Sequence, residues 1–346
     1  MINLVMAKII LFIIGMGLAL IKRRVGKEML SIKYLGGINM VQRLISANPS
    51  EIRKMTKDEL FQSIKASEGR VVLSENVVSH PSVLGDVTCA EMSRAYGADM
   101  ILLNVFDVNN PFVVAAYEGQ YSAETCEPND DVVNRLKDLV GLPIGMNVEP
   151  VDETLGLEST RVDIAPGRKA SPETFKKASS LGLDFILLTG NPGTGVTNDL
   201  IAKNVAVAKE HFDGIIIAGK MHSSGVDEPV VSIKSAEQFL DAGADIVLVP
   251  AVGTVWGITE KEVKEVIDLV HSHGKLVMSA IGTSQESAQP EVIQNIGILN
   301  KTLGVDIQHI GDANMGLVGI ENIKELSDAI RGKRHTVSRM ARSINR

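Results

Sequence analysis

Gly243-Ala244-Asp245-Ile246-Val247-Leu248-Val249-Pro250 ends a helical stretch, turns, and runs straight into an apolar strand. The same Gly-x-Asp pattern precedes apolar runs at Gly97-Ala98-Asp99, Gly182-Leu183-Asp184 and Gly304-Val305-Asp306. The last three glycines are 61 residues apart, about twice the length of a compact strand-plus-helix unit. Self-similarity at a fixed spacing sets the architecture before any motif is read. Glycine suits the left-handed position that ends a helix. The aspartate then falls in a short turn on the bottom face, where its role is stability.

Working outward, strands are expected at 71–77, 100–106, 144–148, 185–189, 215–218, 246–249, 276–280 and 307–310. Helices are expected at 89–96, 131–140, 172–181 and 199–211, then around Ala236, Phe239 and Leu240, around Val263, Val266, Ile267 and Val270, along Val292, Ile296, Leu299 and Leu303, and from Glu321. The strands are continuous apolar runs, as in a parallel sheet buried on both faces. The fold expected is α/β, a single (β/α)8 TIM barrel. A short helical lead-in precedes it, with the capping box Thr56-Lys57-Asp58-Glu59.

A hydrophobic content of 45% supplies the large core a barrel needs, and with aromatics at 4% that core is aliphatic. The net charge of −7 gives no basic excess for nucleic acid. Arg331, Lys333, Arg334, Arg339, Arg342 and Arg346 form a basic C-terminal run without interleaved aromatics, which reads as a solvated or subunit-packing helix. A homo-oligomer is expected. The two cysteines, Cys89 and Cys126, lack metal-binding spacing and read as reduced thiols of a cytoplasmic protein.

Residues 1–39 form a hydrophobic extension ahead of the barrel at 40–346. Leu4 to Ile21 is an apolar run broken by Lys8 and followed by Lys22-Arg23-Arg24. Its length is at the lower limit for a membrane span, and the basic flank would hold the barrel on the cytoplasmic side. The preferred expectation is that these residues lie upstream of the real start. Gly36-Gly37-Ile38-Asn39 can be encoded by a purine-rich ribosome-binding sequence ahead of Met40. Membrane contact is expected only if 1–39 is genuine.

The βα connections at 107–130 and 149–171 are long, and they lie on the face where barrel enzymes place lids and substrate contacts. Polar residues gather at the same strand ends: Glu75, Asn104, Asp107, Asn147, Glu149, Thr189, Asn191, Lys220, His222, His309 and Asp312. Lys220 can form a Schiff base with a carbonyl, stabilise an anionic substrate, or hold an ion pair. Proton movement is assigned to His222 or His309, and the general base to Glu75 or Glu149. Glu75, Asp107 and Glu149 offer hard oxygen ligands for a divalent metal, with Mg2+ preferred. Gly282-Thr283-Ser284, Gly311 and Asn314 follow strands 7 and 8, where barrels commonly hold phosphate. Asn104, Asn147 and Asn191 complete the expected ligand set.

The segments 43–60, LTGNPGTGVTND at 188–199, AGKMHSSG at 218–225, HIGDANMG at 309–316 and IRGKRHT at 330–336 resemble an uncharacterised bacterial family of TIM barrels. Its members are often labelled haloacid dehalogenase-like hydrolase or phosphoenolpyruvate phosphonomutase-like protein. A more distant similarity is to BtpA-like barrels. The chain departs from the dehalogenase pattern, since Asp107-Val108-Asn109 lacks the second aspartate of Asp-x-Asp.

The function expected is an enzyme acting on a small anionic, phosphorylated metabolite by carbon–carbon lyase or isomerase chemistry. The rivals are a non-catalytic binding or assembly factor on a barrel scaffold, and a hydrolase as the family label implies.

Overall fold

The computed structural model describes residues 41–346 apart from 155, 158, 159, 283 and 313–318. The expected extension at 1–39, its candidate span at 4–21 and the expected start at Met40 lie outside the described residues, as do Thr283 and Asn314. Among the described residues no helix is long and apolar enough to cross a membrane.

Two short helices lead in, α1 (Pro49–Ile52) and α2 (Lys57–Lys65), the second capped by the Thr56/Glu59 box. The barrel follows as β1 (Val71–Val77), α3 (Cys89–Ala95), β2 (Met100–Asn104), α4 (Val132–Val140), β3 (Ile144–Val148), α5 (Pro172–Ser180), β4 (Phe185–Leu188) and α6 (Asn198–His211). Its second half is β5 (Ile215–Gly219), α7 (Ile233–Ala242), β6 (Ile246–Pro250), α8 (Glu260–Ser272), β7 (Leu276–Ile281), α9 (Pro290–Leu303), β8 (Ile307–Ile310) and α10 (Glu321–Met340). The eight strands are parallel and pair in chain order, and β8 pairs with β1 to close the ring.

Strand residues alternate between two apolar layers. Leu73, Met100, Leu102, Leu187, Ile217, Leu248 and Met278 fill the barrel, with Leu44, Ile45, Leu60 and Ile64 of the lead-in packed against them as a plug. The intervening strand residues meet the helices in an outer layer. Gly145 is required by this packing: a Cβ there would lie 2.3 Å from the Phe185 ring.

The repeated Gly-x-Asp is a latch. Each glycine is left-handed, with φ of 107°, 83°, 105° and 106° along the chain. Each aspartate then grips one residue of the preceding odd strand at two points. The N–H of Asp99 donates to the Val72 carbonyl (2.8 Å), and its carboxylate accepts from the Val72 N–H (3.0 Å). Asp184 does the same to Ile144, Asp245 to Ile216 and Asp306 to Val277. The carboxylates are also charge-paired: Asp184 with Lys137, Asp245 with Lys57 and Lys275, Asp306 with His271.

At Asp99 the partners are Arg331 and Arg339, both buried. This corrects the solvated reading of the basic C-terminal run for those two residues. Gly332, with φ 73° and ψ 157°, breaks the helical path of α10 between them. In α9 the expected Ile296, Leu299 and Leu303 meet the outer layer together with Ile293, Gly297 and Asn300, while Val292, expected on the same stripe, is exposed.

The His271–Asp306 pair carries a pH signature. The hydrogen bond to Asp306, at 2.8 Å, raises the imidazole above its ordinary pKa. A raised folded-state pKa gives stability that is fully present below about pH 6.5 and lost as pH rises through the folded value. The pair is partly exposed, which screens the effect to less than about 1 kcal/mol. His271→Gln should therefore lower the urea midpoint at pH 5.5 and leave it nearly unchanged at pH 8.5. An equal loss at both values would remove the assignment.

Candidate active site

Above the apolar filling, the inward positions at the strand C-termini turn polar. Glu75 of β1, nearly fully buried, accepts at Oε1 from Asn147 Nδ2 (2.5 Å) and pairs at Oε2 with His309 Nε2 (3.0 Å). His309 lies wholly buried beneath it. Asn104 donates through Nδ2 to Asp312 Oδ1 (3.4 Å) and accepts from Asn191 Nδ2 (3.3 Å). Four non-glycine residues around this site hold left-handed backbone: Val105 (φ 63°) directly after Asn104, Ser224 (φ 58°), Ser284 (φ 68°) and Asp312 (φ 41°). Such strain persists only where the surroundings hold it, and it is frequent at working sites.

These groups border a cavity of about 540 Å³ whose wall includes Glu75, Asn104, Asn191, His222, Glu286 and Asp312. Gly282, Ser284 and Gly311 also line it, as expected. Burial, then the nearby Glu75 carboxylate, pushes Asp312 up to about 6. Burial also raises Glu286.

His222 moves the other way. Burial and the Lys220 charge lower it to about 4. Its Nδ1 accepts the Ser224 N–H (3.1 Å), so the neutral ring carries its proton on Nε2 as a donor. The expected proton-moving imidazole is thus a neutral hydrogen-bond donor at physiological pH.

Lys220 is not brought to the cavity. Its ammonium donates to the carbonyls of Val196 (3.0 Å) and Ser223 (2.8 Å) and to Glu228 Oε1 (2.9 Å), and its side chain is wholly buried. All three donors of a lysine are used. The Schiff-base and substrate-anion roles are corrected to that of a strut under the loop after β5.

Glu149 is likewise withdrawn from the cavity wall. Its Oε1 accepts from Arg168 Nη2 (2.9 Å) and from Asn191, which fastens the β3–α5 loop. Asp107 accepts the Asn109 N–H (2.8 Å) and packs where Gly167 leaves room. The three carboxylates expected to share a metal are therefore each held by separate partners. Among the described residues no group of three or more His, Cys, Asp or Glu side chains is set to hold a metal ion. The donor set does not fit the expected Mg2+.

Glu286 was missed by the sequence reading. It stands two residues after Ser284, in a stretch read for its small residues alone. Backbone N–H groups of Ser284 and Glu286 point at its own carboxylate. Those two donors therefore serve an internal acid.

The chain belongs to the family described as Domain of unknown function (DUF7916), whose model matches residues 45–346. No curated protein sequence matches it. Among solved structures it is similar to an archaeal fructose 1,6-bisphosphate aldolase, at 15% identity and TM-score 0.49, over 79% of this chain and 98% of that one. It is also similar to 2,3-dimethylmalate lyase, a member of the PEP mutase/isocitrate lyase superfamily, at 14% identity and TM-score 0.46, over 75% and 82%. A third is thiamine phosphate pyrophosphorylase from Pyrococcus furiosus, at 13% identity and TM-score 0.43, over 77% and 100%. The haloacid dehalogenase-like label finds no support: the matched family is another one, and the strands close a barrel.

Proposed function

We propose that the protein is an enolate-forming lyase or isomerase acting on a small hydroxylated carbonyl compound. The observation that carries this reading is the placement of neutral His222, carboxylate Glu75 and the half-titrated Asp312 around one cavity. Glu75, oriented from below by His309 and Asn147, takes a proton from the substrate. His222 Nε2–H supports the carbonyl oxygen as negative charge develops on it. Asp312, with a pKa near the working pH, returns a proton to carbon. In isomerisation the proton leaves the carbon next to the carbonyl and returns to the former carbonyl carbon, while the hydroxyl proton of the first carbon passes to the former carbonyl oxygen. In the lyase reaction Glu75 takes a hydroxyl proton, that carbon leaves as a carbonyl fragment, and the electron pair of the broken carbon–carbon bond becomes the enolate that Asp312 protonates.

The described wall carries three carboxyls together with amides and serines, and neither Lys nor Arg. That lining favours hydroxyl groups over phosphate at the reacting end. The Schiff-base form of the lyase drops out with Lys220.

Sugars and hydroxy-oxo compounds incubated with the protein in D2O and followed by NMR test the reading. Exchange of the C–H next to the carbonyl, or release of a carbonyl fragment, is the expected result. A ligand that stabilises the fold yet undergoes neither would leave the binding-factor rival in its place.

A further inference from the structure

We infer that the ligand is bipartite, with an apolar, planar substituent seated in a second cavity beside Trp256. This rests on the reading of the first cavity as the seat of a hydroxylated head. The second cavity, of about 650 Å³, opens between the loops that follow β5 and β6. Its walls include Val230, Val231, Val255 and Ile258, with Trp256 at the rim.

The indole is 98% exposed. A side chain of this size gains most by covering an apolar partner, and leaving it in water at a cavity rim marks a contact surface. Its occupant follows from continuity. His222 and Ser223 line both cavities, so a single turn of chain is the partition between them. Lys220 pins that partition from beneath through the Ser223 carbonyl and Glu228. A molecule whose hydroxyls meet Glu75, Asp312 and Asn104 passes over this fixed turn and lays its substituent against the indole. His222, Ser223 and Glu262 leave polar atoms at the edge of a seat whose remaining walls are apolar, which suits an aryl group better than a long alkyl chain.

Trp256 is the sole tryptophan of the chain, so its emission reports on this seat alone. Phenyl β-glucoside serves as the bipartite probe, methyl β-glucoside as the head alone and phenol as the substituent alone. Phenyl β-glucoside should shift the emission and bind about fivefold or more tighter than either control. By calorimetry, Trp256→Ala should bring its affinity down to that of methyl β-glucoside, whose own affinity stays unchanged, and Trp256→Phe should restore most of the loss.

Equal affinities for phenyl and methyl β-glucoside, or no emission response to phenyl β-glucoside, overturn the inference. So does an emission that changes on diluting the protein alone, because a second copy of the chain then covers the ring. The deuterium-exchange test makes no use of Trp256, so failure of the chemistry and failure of the seat are told apart.

Discussion

Glu75→Gln is expected to lower turnover by about 100- to 10,000-fold, the range lost when a general base is removed. Ligand affinity should change only a few-fold, since the shape of the site survives. The effect is large because Glu75 is held in place at the cavity wall. Its two oxygens are taken up by Asn147 and His309 from below, and it faces the cavity with Asp312 and His222.

Asp312 gives the same experiment a pH axis. Its carboxyl is raised to about 6, so it is protonated below that value and loses its proton as pH rises through it. A rate that needs the acid form therefore falls above pH 6, and Asp312→Asn should abolish that falling limb along with most of the rate. The measurement is kcat against pH for the wild type and both variants. A Glu75→Gln protein with wild-type kcat would end the proposed mechanism.

The largest effect on folding is expected at Asp99. Asp99→Asn should cost about 3–5 kcal/mol, the usual consequence of stripping a buried ion pair of one partner. Arg331 and Arg339 would both stay buried with no counter-charge, and the grip on Val72 would lose a charged acceptor. Urea denaturation followed by circular dichroism measures the loss. Replacing both arginines by methionine in the Asp99→Asn background should recover much of it, because burying apolar groups of similar volume removes the desolvation cost. No recovery in that background, or no initial loss, would mean the triad is not what closes the bottom of β1 and β2.

Much of the barrel was legible in the residues. β1, β3 and β8 begin and end where the apolar runs do, and the left-handed glycines fall where the repeat put them. Runs buried on both faces have sharp ends, which is why these bounds are readable. The cavity was legible as an address: Glu75, Asn104, Asn191, His222, Gly282, Ser284, Gly311 and Asp312 all line it.

What failed was the direction of individual long side chains. Lys220 stands at a strand end, yet its partner Glu228 comes from an irregular loop eight residues on, which no periodicity announces. Arg331 and Arg339 were read as members of one solvated or subunit-packing run because their shared partner Asp99 lies 232 and 240 residues away along the chain. Glu286 was hidden because its stretch was read for backbone donors, while the carboxylate those donors serve went unweighed.

The latches have a consequence for how this ring can be taken apart. Each ties an even strand to the odd one before it, so the lower rim is made of four clasped couples, β1–β2, β3–β4, β5–β6 and β7–β8. New chain ends opened in the helical crossover between two couples leave every clasp intact. Ends opened inside a couple oblige its clasp to find its mate without the covalent tether. The seams along which such a cylinder could be circularly permuted, or assembled from separate quarters, are therefore already marked on the face opposite the chemistry.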